Sequence, residues 1–366
     1  MENVRTSGPL PVPEPVGAAS VRGIVSHRGE GFRRLLGDVT DGLRPFFGTT
    51  GAVLPFTCSG TGGMEAAVVN CVAPGERVLA LCAGYFGERF AAVARAHGAE
   101  VTEHRVPWGR ALDPAEVRGV LRAAGPFRAV LVTHNETSTG VLNPLREVCE
   151  AVREESDALI LVDGVSSVGA IPVEMDAWGA DVVVTVTQKA LLAQPGISPV
   201  AAGERALAAA RGRGGPRYYF DFPRMADAVT EGTTTYTPAV SVLQGLDAAV
   251  RLLREEGPEN VFRRHRHAAR HLRRRLTGLG LSPLVAPEDA SPTVTAVRLP
   301  AGVPADAVRG RLEREHGVLV AGGRGPWKAD TVRIGHMGVF REDQLDAAAE
   351  ALAETVGHLA AAPAAR

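Results

Sequence analysis

The first two thirds of the sequence alternate between short apolar runs and longer segments with helical character. Apolar runs of strand length occur at Val53–Thr57, Val78–Cys82, Ala129–Thr133, Leu159–Val162 and Asp181–Val186. Helix-compatible segments occur at Glu30–Phe47, Met64–Ala73, Glu88–His97, Pro114–Ala124 and Leu145–Glu155. Strands that are apolar throughout and alternate with helices are typical of a mostly parallel sheet covered on both faces. The sequence therefore predicts an α/β fold around one such sheet.

The pattern changes in the last third of the chain. The sequence is helical from Val240 to Leu279, with an interruption at Gly257-Pro258, and then strands and helices of a different spacing follow. These are predicted at Thr293–Leu299 (strand), Asp306–His316 (helix), Val318–Val320 and Thr331–Ile334 (strands), and from Glu342 onwards (helix). A chain of 366 residues is long enough for two units. We predict an N-terminal extended segment (1–20), a large α/β domain (21–257) and a small α+β domain (258–366).

Charge and cysteine content narrow the class of protein. The 40 basic and 41 acidic residues leave a net charge of −1, which does not favour binding to nucleic acid. The arginine-rich stretch 263–275 is best explained as a solvated helix, with His265, His267 and His271 at the surface. No apolar run reaches the ~18–20 residues of a membrane helix. Four cysteines without a C-x-x-C pair indicate free thiols, so we expect a soluble, cytoplasmic protein.

A glycine-rich turn lies between the first predicted strand and the helix after it. The segment Ser59-Gly60-Thr61-Gly62-Gly63 offers close backbone approach, hydroxyl groups and a helix N-terminus, which together suit a phosphate group. No Walker lysine follows, and Glu65 stands where a dinucleotide-binding pattern needs its third glycine. Taken alone, the turn is explained equally well as a tight connection.

Two polar segments follow predicted strands at one edge of the sheet. The segment His134–Gly140 follows one strand, and Asp163 follows the next. Polar side chains at the carboxyl ends of sheet strands indicate a ligand site, and a carboxylate there needs a cation or hydrogen-bond donors. Asp163 could instead cap the following turn. A zinc site at His134 and Glu136 lacks further ligands at suitable spacing, so we predict no metal.

Lys189 follows the last apolar run of the predicted sheet and is one of only two lysines among 40 basic residues. A lysine removed from water has a lowered pKa and can act as an amine nucleophile towards carbonyl groups. A phosphate cradle, a strand-end carboxylate and such a lysine suit a cofactor with a phosphate, a cationic ring nitrogen and an aldehyde. Pyridoxal 5′-phosphate has all three, and we predict it as the cofactor.

The chain resembles the class V aminotransferases of fold type I, in particular the alanine/serine–glyoxylate aminotransferase group. The resemblance covers nearly the whole chain and implies a mostly parallel seven-stranded-type sheet with a smaller C-terminal α+β domain. The matching motifs are His27-Arg28 with Phe32, Phe46-Phe47-Gly48, Ser59-Gly60-Thr61 with Met64-Glu65-Ala66-Ala67, Gly84-Tyr85-Phe86-Gly87-Glu88-Arg89, His134-Asn135-Glu136-Thr137-Ser138-Thr139-Gly140-Val141, Val162-Asp163 with Val165-Ser166-Ser167, Trp178-Gly179 with Asp181, Gln188-Lys189-Ala190-Leu191 with Pro195-Gly196, and Val332-Arg333-Ile334-Gly335.

The resemblance implies a role for each matching residue around the cofactor. Lys189 would hold the cofactor as a Schiff base and move a proton between the substrate Cα and the cofactor C4′. Asp163 would pair with the pyridine nitrogen. The other implied contacts are Phe86 and Val165 on the two ring faces, Thr139 near the ring oxygen, and Ser59, Gly60, Thr61 and Gln188 at the phosphate.

The resemblance also implies a homodimer with shared active sites and a substrate side to each site. Thr237 matches a threonine that family members contribute to the phosphate of the neighbouring subunit. Arg333 would grip the substrate carboxylate bidentately, which suits its planar fork of donors. Gly8 lies in Ser7–Pro11, the counterpart of the Pro-Gly-Pro substrate loop of relatives.

The chain departs from the group on the substrate side. Val186-Thr187 stands where relatives have Gly-Ser, and Gln194-Pro195-Gly196 where they have Pro-Pro-Gly. The resemblance implies ping-pong transfer of an amino group from a small amino acid, of alanine or serine type, to glyoxylate or pyruvate. The open alternatives are an aminoethylphosphonate-type transaminase, a lyase or aldolase on the same fold, and a non-catalytic binding protein.

Overall fold

Helices layered on two main β-sheets make up the computed structural model, which describes residues 2–212 and 217–361. The strands are β1 (Asn3–Arg5), β2 (Ala52–Phe56), β3 (Arg77–Cys82), β4 (Glu100–Arg105), β5 (Ala129–Thr133), β6 (Asn135–Glu136), β7 (Val141–Leu142), β8 (Leu159–Asp163), β9 (Val182–Val184), β10 (Ser198–Ala202), β11 (Ser282–Pro283), β12 (Val294–Arg298), β13 (Val318–Gly322) and β14 (Thr331–Gly335). The α-helices are α1 (Glu14–Ser20), α2 (Glu30–Phe47), α3 (Gly60–Cys71), α4 (Tyr85–Ala96), α5 (Pro114–Ala124), α6 (Leu145–Glu155), α7 (Met175–Trp178), α8 (Glu204–Arg211), α9 (Phe222–Thr230), α10 (Val240–Glu256), α11 (Pro258–Gly278), α12 (Ala305–His316) and α13 (Glu342–Ala361).

The large sheet has seven strands in the order β2-β10-β9-β8-β5-β3-β4. All of its pairings are parallel except those of β10, which runs antiparallel to β2 and β9. Successive residues of β5 point to opposite faces: Val130 and Val132 belong to one buried cluster and Leu131 to another. Both faces are therefore covered, and the predicted mostly parallel α/β sheet is confirmed.

The second sheet has five strands in the order β1-β13-β14-β12-β11. Helices α11, α12 and α13 contribute to its buried cluster, in which Leu272, Leu312 and Leu352 are fully covered. The N-terminal segment enters this sheet, because β1 pairs in parallel with β13 through Asn3↔Val318 and Arg5↔Val320. The segment predicted to be extended thus contains strand β1 and helix α1. The predicted domain limits at 20/21 and 257/258 stay predictions.

Helix α11 corrects one expectation about the surface. His265 is buried, with Nδ1 2.7 Å from the carbonyl oxygen of Val261, and Nε2 accepts a hydrogen bond from the backbone N–H of Gly338 at 3.2 Å. In the sequence, the arginines around His265 make the buried face of α11 difficult to recognise. His267 and His271 instead pair with carboxylates of α13.

All four cysteines carry free thiols. No helix within the described ranges combines the length and the apolar character that a membrane span requires.

Candidate active site

Three adjacent strands of the large sheet end at the edge where the predicted site residues meet. In the register of β5, β8 and β9, Asp163 lies beside both Thr133 and Val184. The backbone N–H of His134 donates to the carbonyl oxygen of Asp163 at 3.0 Å, which continues the ladder one residue further. Residues 133 to 139 are all buried, although all of them are polar. Buried polar groups at a sheet edge indicate a ligand site.

Asp163 is a buried carboxylate with a perturbed pKa. Its side chain is 4% exposed, and Oδ1 accepts the backbone N–H of Val165 at 3.0 Å. Burial raises the pKa of Asp163 to about 6, although the charges of Lys189 and Arg89 act in the opposite direction. A carboxylate in this position is stabilised by a nearby cation. It is therefore suited to pair with a protonated ring nitrogen.

Lys189 carries the complementary perturbation. Loss of water around its amine lowers the pKa of Lys189 to about 8, while the Asp163 carboxylate raises it. Nζ donates a hydrogen bond to the carbonyl oxygen of Ser7. Near pH 8 a large fraction of this amine is neutral, and the neutral amine is the nucleophilic form.

The N-terminal segment crosses directly over Lys189. Gly8 has φ +107°, and a Cβ atom on it would lie 2.8 Å from Cδ and 2.9 Å from Cε of Lys189. The backbone N–H of Leu10 donates to the carbonyl oxygen of Gln188 at 3.2 Å. Both the left-handed backbone and the close approach require glycine at position 8. The structure thus brings the predicted loop residue Gly8 to the predicted lysine.

The glycine-rich turn is the first turn of α3 rather than a loop before it. Ser59 is the N-cap, and its Oγ accepts the backbone N–H of Gly62 at 3.4 Å. A Cβ on Gly60 would lie 2.8 Å from Cγ2 of Val165, so these two residues are in contact. The hydroxyl of Thr61 accepts from Nη1 of Arg89 at 3.3 Å. Free N–H groups at such a helix start favour an anion.

Phe86 is fixed through its backbone by a buried carboxylate. The backbone N–H groups of Phe86 and Gly87 donate to Oε2 of Glu136 at 2.9 and 3.1 Å. Ser138 donates to Oε1 through its N–H at 3.0 Å and its hydroxyl at 2.6 Å. In the sequence, Glu136 is a weak metal-ligand candidate and belongs to the polar segment His134–Gly140, and neither feature predicts this capping role. Its position two residues before Ser138 is a local signal for hydrogen bonding between the two. Its contact with the start of α4 depends on the fold.

Arg333 lies buried in β14 beside the same polar segment. Nε donates to the carbonyl oxygen of Gly322 at 2.8 Å, and Nη1 donates to that of Thr137 at 2.7 Å. These bonds use part of a guanidinium that has five N–H groups. Burial, followed by the positive charge of Arg324, lowers the pKa of Arg333 to about 10. Arg333 is therefore a desolvated cation that two hydrogen bonds fix in place, and it suits a carboxylate ligand.

The remaining predicted residues divide into those at the site and one that is separate. Thr139 is buried, and its hydroxyl donates to the carbonyl oxygen of Glu136 at 3.3 Å. Gln188 has a buried Oε1 without a hydrogen-bond partner among the described residues. Thr237 is exposed in the loop before α10, and in the part of the chain described no hydrogen bond or ion pair connects its side chain to the others.

The departures from the resembled group lie next to Lys189. The hydroxyl of Thr187 donates to the carbonyl oxygen of Gln194 at 2.5 Å, and Oε1 of Gln194 accepts from the hydroxyl of Ser20 at 2.8 Å. A Cβ on Gly60 would lie 3.6 Å from Cβ of Val186. Thr187 and Gln194 therefore close the turn that carries Lys189, and Val186 lies near Gly60.

Comparisons with known proteins agree with this geometry. The family model for aminotransferase class-V matches residues 17–341. The chain belongs to the class V aminotransferases. The L-aspartate–glyoxylate aminotransferase of Paracoccus denitrificans is 35% identical over 90% of this chain and 85% of its own length. A Synechococcus protein named soluble hydrogenase, small subunit is 35% identical over 96% of this chain and 92% of its own.

A solved structure extends the likeness to the fold. The alanine–glyoxylate aminotransferase of Nostoc superposes with a TM-score of 0.93 and 33% identity, over 97% of this chain and 95% of that one. Class V aminotransferases depend on pyridoxal 5′-phosphate, and this chain is such an enzyme. The residues fit the cofactor, because a buried carboxylate, a perturbed amine, an unpartnered Gln188 Oε1 and a capped helix start meet at one sheet edge. No set of three metal-ligating side chains is grouped within residues 2–212 and 217–361.

Proposed function

We propose that this class V aminotransferase moves an amino group from a small amino acid to a small 2-oxo acid, glyoxylate or pyruvate, by a ping-pong mechanism. The observation that carries the proposal is the meeting of Lys189, Asp163 and Arg333 around one buried polar segment. The names of the Paracoccus and Nostoc relatives support glyoxylate as the acceptor. A buried lysine near a carboxylate suits amine chemistry. This favours the activity given in the aminotransferase names over that given in the hydrogenase name.

The residues would divide the work around the cofactor. When bound, pyridoxal phosphate supplies an aldehyde for the amino group and a ring that accepts the electrons of the Cα–H bond. Lys189 holds the cofactor, and its freed amine removes the proton from Cα and returns it at C4′. Asp163 keeps the ring nitrogen protonated. Phe86, Val165 and Thr139 position the ring, and Ser59, Gly60, Thr61 and Gln188 hold the phosphate.

Arg333 would orient the substrate by its carboxylate. Two of its donors are fixed on the carbonyl oxygens of Gly322 and Thr137, so the plane of the guanidinium is set before a substrate arrives. A preset fork can bind a carboxylate with two parallel hydrogen bonds. Gly8 would complete the substrate side, because no side chain at position 8 competes for space beside Lys189.

We propose a homodimer that completes each site, and a cytoplasmic location. Thr237 is exposed in this chain, as a residue that serves a neighbouring subunit must be. Large apolar side chains are exposed near the N-terminus, with Val21 84% and Ile24 76% accessible. A contiguous apolar patch marks a protein interface, and we place the second copy at these two side chains. The four free thiols agree with a reducing compartment.

The decisive experiment replaces each of the two lysines. We expect Lys189→Ala to abolish transamination and the visible absorbance of the bound cofactor, because no other residue supplies the amine. The matched control Lys328→Ala removes an exposed lysine and should retain both properties. Full activity of Lys189→Ala would refute the assignment. Release of a cleaved aldehyde in place of a stoichiometric 2-oxo acid would identify a lyase or aldolase instead.

A further inference from the structure

Two arginines contact one tyrosine, Tyr85, which lies beside the site. The guanidinium carbon of Arg89 lies 5.1 Å from the ring centroid of Tyr85, and that of Arg324 lies 5.4 Å from the same centroid. Tyr85 directly precedes Phe86. Arg324 follows Gly322 by two residues, and the Gly322 carbonyl holds Arg333. Arg89 and Arg324 therefore meet at Tyr85, and Arg324 lies close enough to the buried Arg333 to lower its pKa.

These arginines differ from their neighbours in charge pairing. Arg105 pairs with Glu88, Arg298 with Asp330 and Arg309 with Asp306. Among the described residues, by contrast, no carboxylate forms an ion pair with Arg89, Arg324 or Arg333; their contacts are neutral oxygens and aromatic rings. The carboxylates of Glu136 and Asp163 act on Arg333 and Arg89 through space without pairing with them. Positive charges held close together are further stabilised by anionic ligands.

Two anions of the proposed reaction, the cofactor phosphate and the substrate α-carboxylate, account for two of the three arginines. Arg89 is hydrogen-bonded to Thr61 of the phosphate cradle, so its charge lies on the phosphate side. Arg333 is held for the α-carboxylate. Arg324 is exposed, is not fixed by a hydrogen bond to a carboxylate in the described part of the chain, and is the nearby charge that most lowers the pKa of Arg333. One positive charge near Arg333, that of Arg324, is left without an assigned anion.

We infer that the preferred amino donor is a small dicarboxylic amino acid, of the size of aspartate, whose side-chain carboxylate binds Arg324. The inference rests on the proposed function and narrows its donor from small amino acids in general to acidic ones. The α-carboxylate binds Arg333, and the second carboxylate reaches towards the space between Arg324 and Tyr85. A planar guanidinium at a solvated rim recognises a carboxylate while still allowing release.

A binding experiment tests this without turnover. Succinate and propionate differ by one carboxylate, as aspartate and alanine do, and titration calorimetry gives their affinities for the holoenzyme. We expect succinate to bind the native enzyme about tenfold more tightly or better. Arg324→Gln should remove that difference, and Arg324→Lys should keep part of it. The control Arg34→Gln removes an exposed arginine of α2 and should keep all of it.

Steady-state kinetics give the second readout. The ratio of kcat/KM for aspartate to that for alanine should fall roughly 10- to 100-fold in Arg324→Gln, mainly through KM for aspartate. Equal affinities for succinate and propionate, or an equal loss of both in Arg324→Gln, would overturn the inference. Tighter binding of 3-phosphonopropionate than of succinate would also overturn it. Absence of transamination with every donor would defeat the proposed function, whereas the binding result would still stand.

Discussion

At the scale of single residues, Lys189 and Asp163 are perturbed in opposite directions by one cause. Burial disfavours the charged form of each, which lowers the pKa of Lys189 to about 8 and raises that of Asp163 to about 6. Each charge offsets part of the perturbation of the other. An amine that loses its proton near neutral pH can attack an aldehyde, whereas an ordinary lysine is protonated there.

This perturbation predicts the pH dependence of cofactor uptake. The neutral amine is the reactive form, so the rate at which the cofactor-free chain takes up pyridoxal phosphate should rise with pH and level off above about 8. Stopped-flow absorbance between pH 6 and 11 measures it. Asp163→Asn removes a charge that raises the pKa of Lys189, so the midpoint should move to lower pH. A rate that still increases near pH 10.5 would contradict a lowered pKa.

The positions of candidate site residues were predictable where a local sequence pattern determined them. Lys189 and Asp163 each follow an apolar strand, and adjacent parallel strands must end at one edge. The meeting of Arg89 and Arg324 at Tyr85 was not predictable, because it joins side chains from distant parts of the chain. No spacing along a sequence encodes that meeting.

At the scale of elements, the start of α4 depends on Glu136. Its two carboxylate oxygens accept four hydrogen bonds, two of them from the backbone of Phe86 and Gly87. A Cβ on Gly84 would lie 2.7 Å from Cγ of Glu136, so the helix start and the carboxylate are in close contact. Glu136 therefore positions the aromatic residue proposed to cover the cofactor ring.

Glu136→Gln should destabilise this element. An amide has one acceptor oxygen, so its NH₂ group would face N–H donors that remain buried. We expect a loss of about 1–3 kcal/mol in the free energy of unfolding, measured in urea. The control Glu88→Gln makes the same chemical change in the first turn of α4, where Glu88 pairs with the half-exposed Arg105. It should lower the free energy of unfolding by less than about 1 kcal/mol. Equal stability of the two variants would show that the buried hydrogen bonds do not hold the helix.

Some elements were predictable to their last residue and others were missed, for a physical reason. Helices α2, α5 and α6 and strand β5 have the predicted bounds, because apolar residues at one period mark them clearly. Strand β4 was missed because it is an edge strand with charged residues at both ends and at Glu103, and β10 because Pro199 interrupts its pattern. Whether a segment pairs at the sheet edge, as β4 does, or antiparallel within the sheet, as β10 does, depends on the neighbouring strands rather than on the segment itself.

At the scale of the whole molecule, the proposed homodimer makes the surface around Val21 and Ile24 testable. We expect the 38.4 kDa chain to sediment as a dimer at micromolar concentration. Val21→Asp would bury a charge in the interface and should shift the chain towards monomer with reduced activity. The control Val339→Asp changes a residue that is 60% exposed elsewhere and should leave the dimer intact. A native chain that sediments as a monomer with full activity would refute shared sites.

The pairing of β1 with β13 also has a consequence for the order of assembly. Strand β1 finds its partner about 300 residues later along the chain, at Val318. At synthesis rates of about 5–20 residues per second, β1 waits on the order of 15–60 s for that partner. During this interval the large sheet can form while the segment around Gly8 has no anchor over Lys189. The segment around Gly8 thus closes over Lys189 late, after a period in which a nascent chain can take up its cofactor.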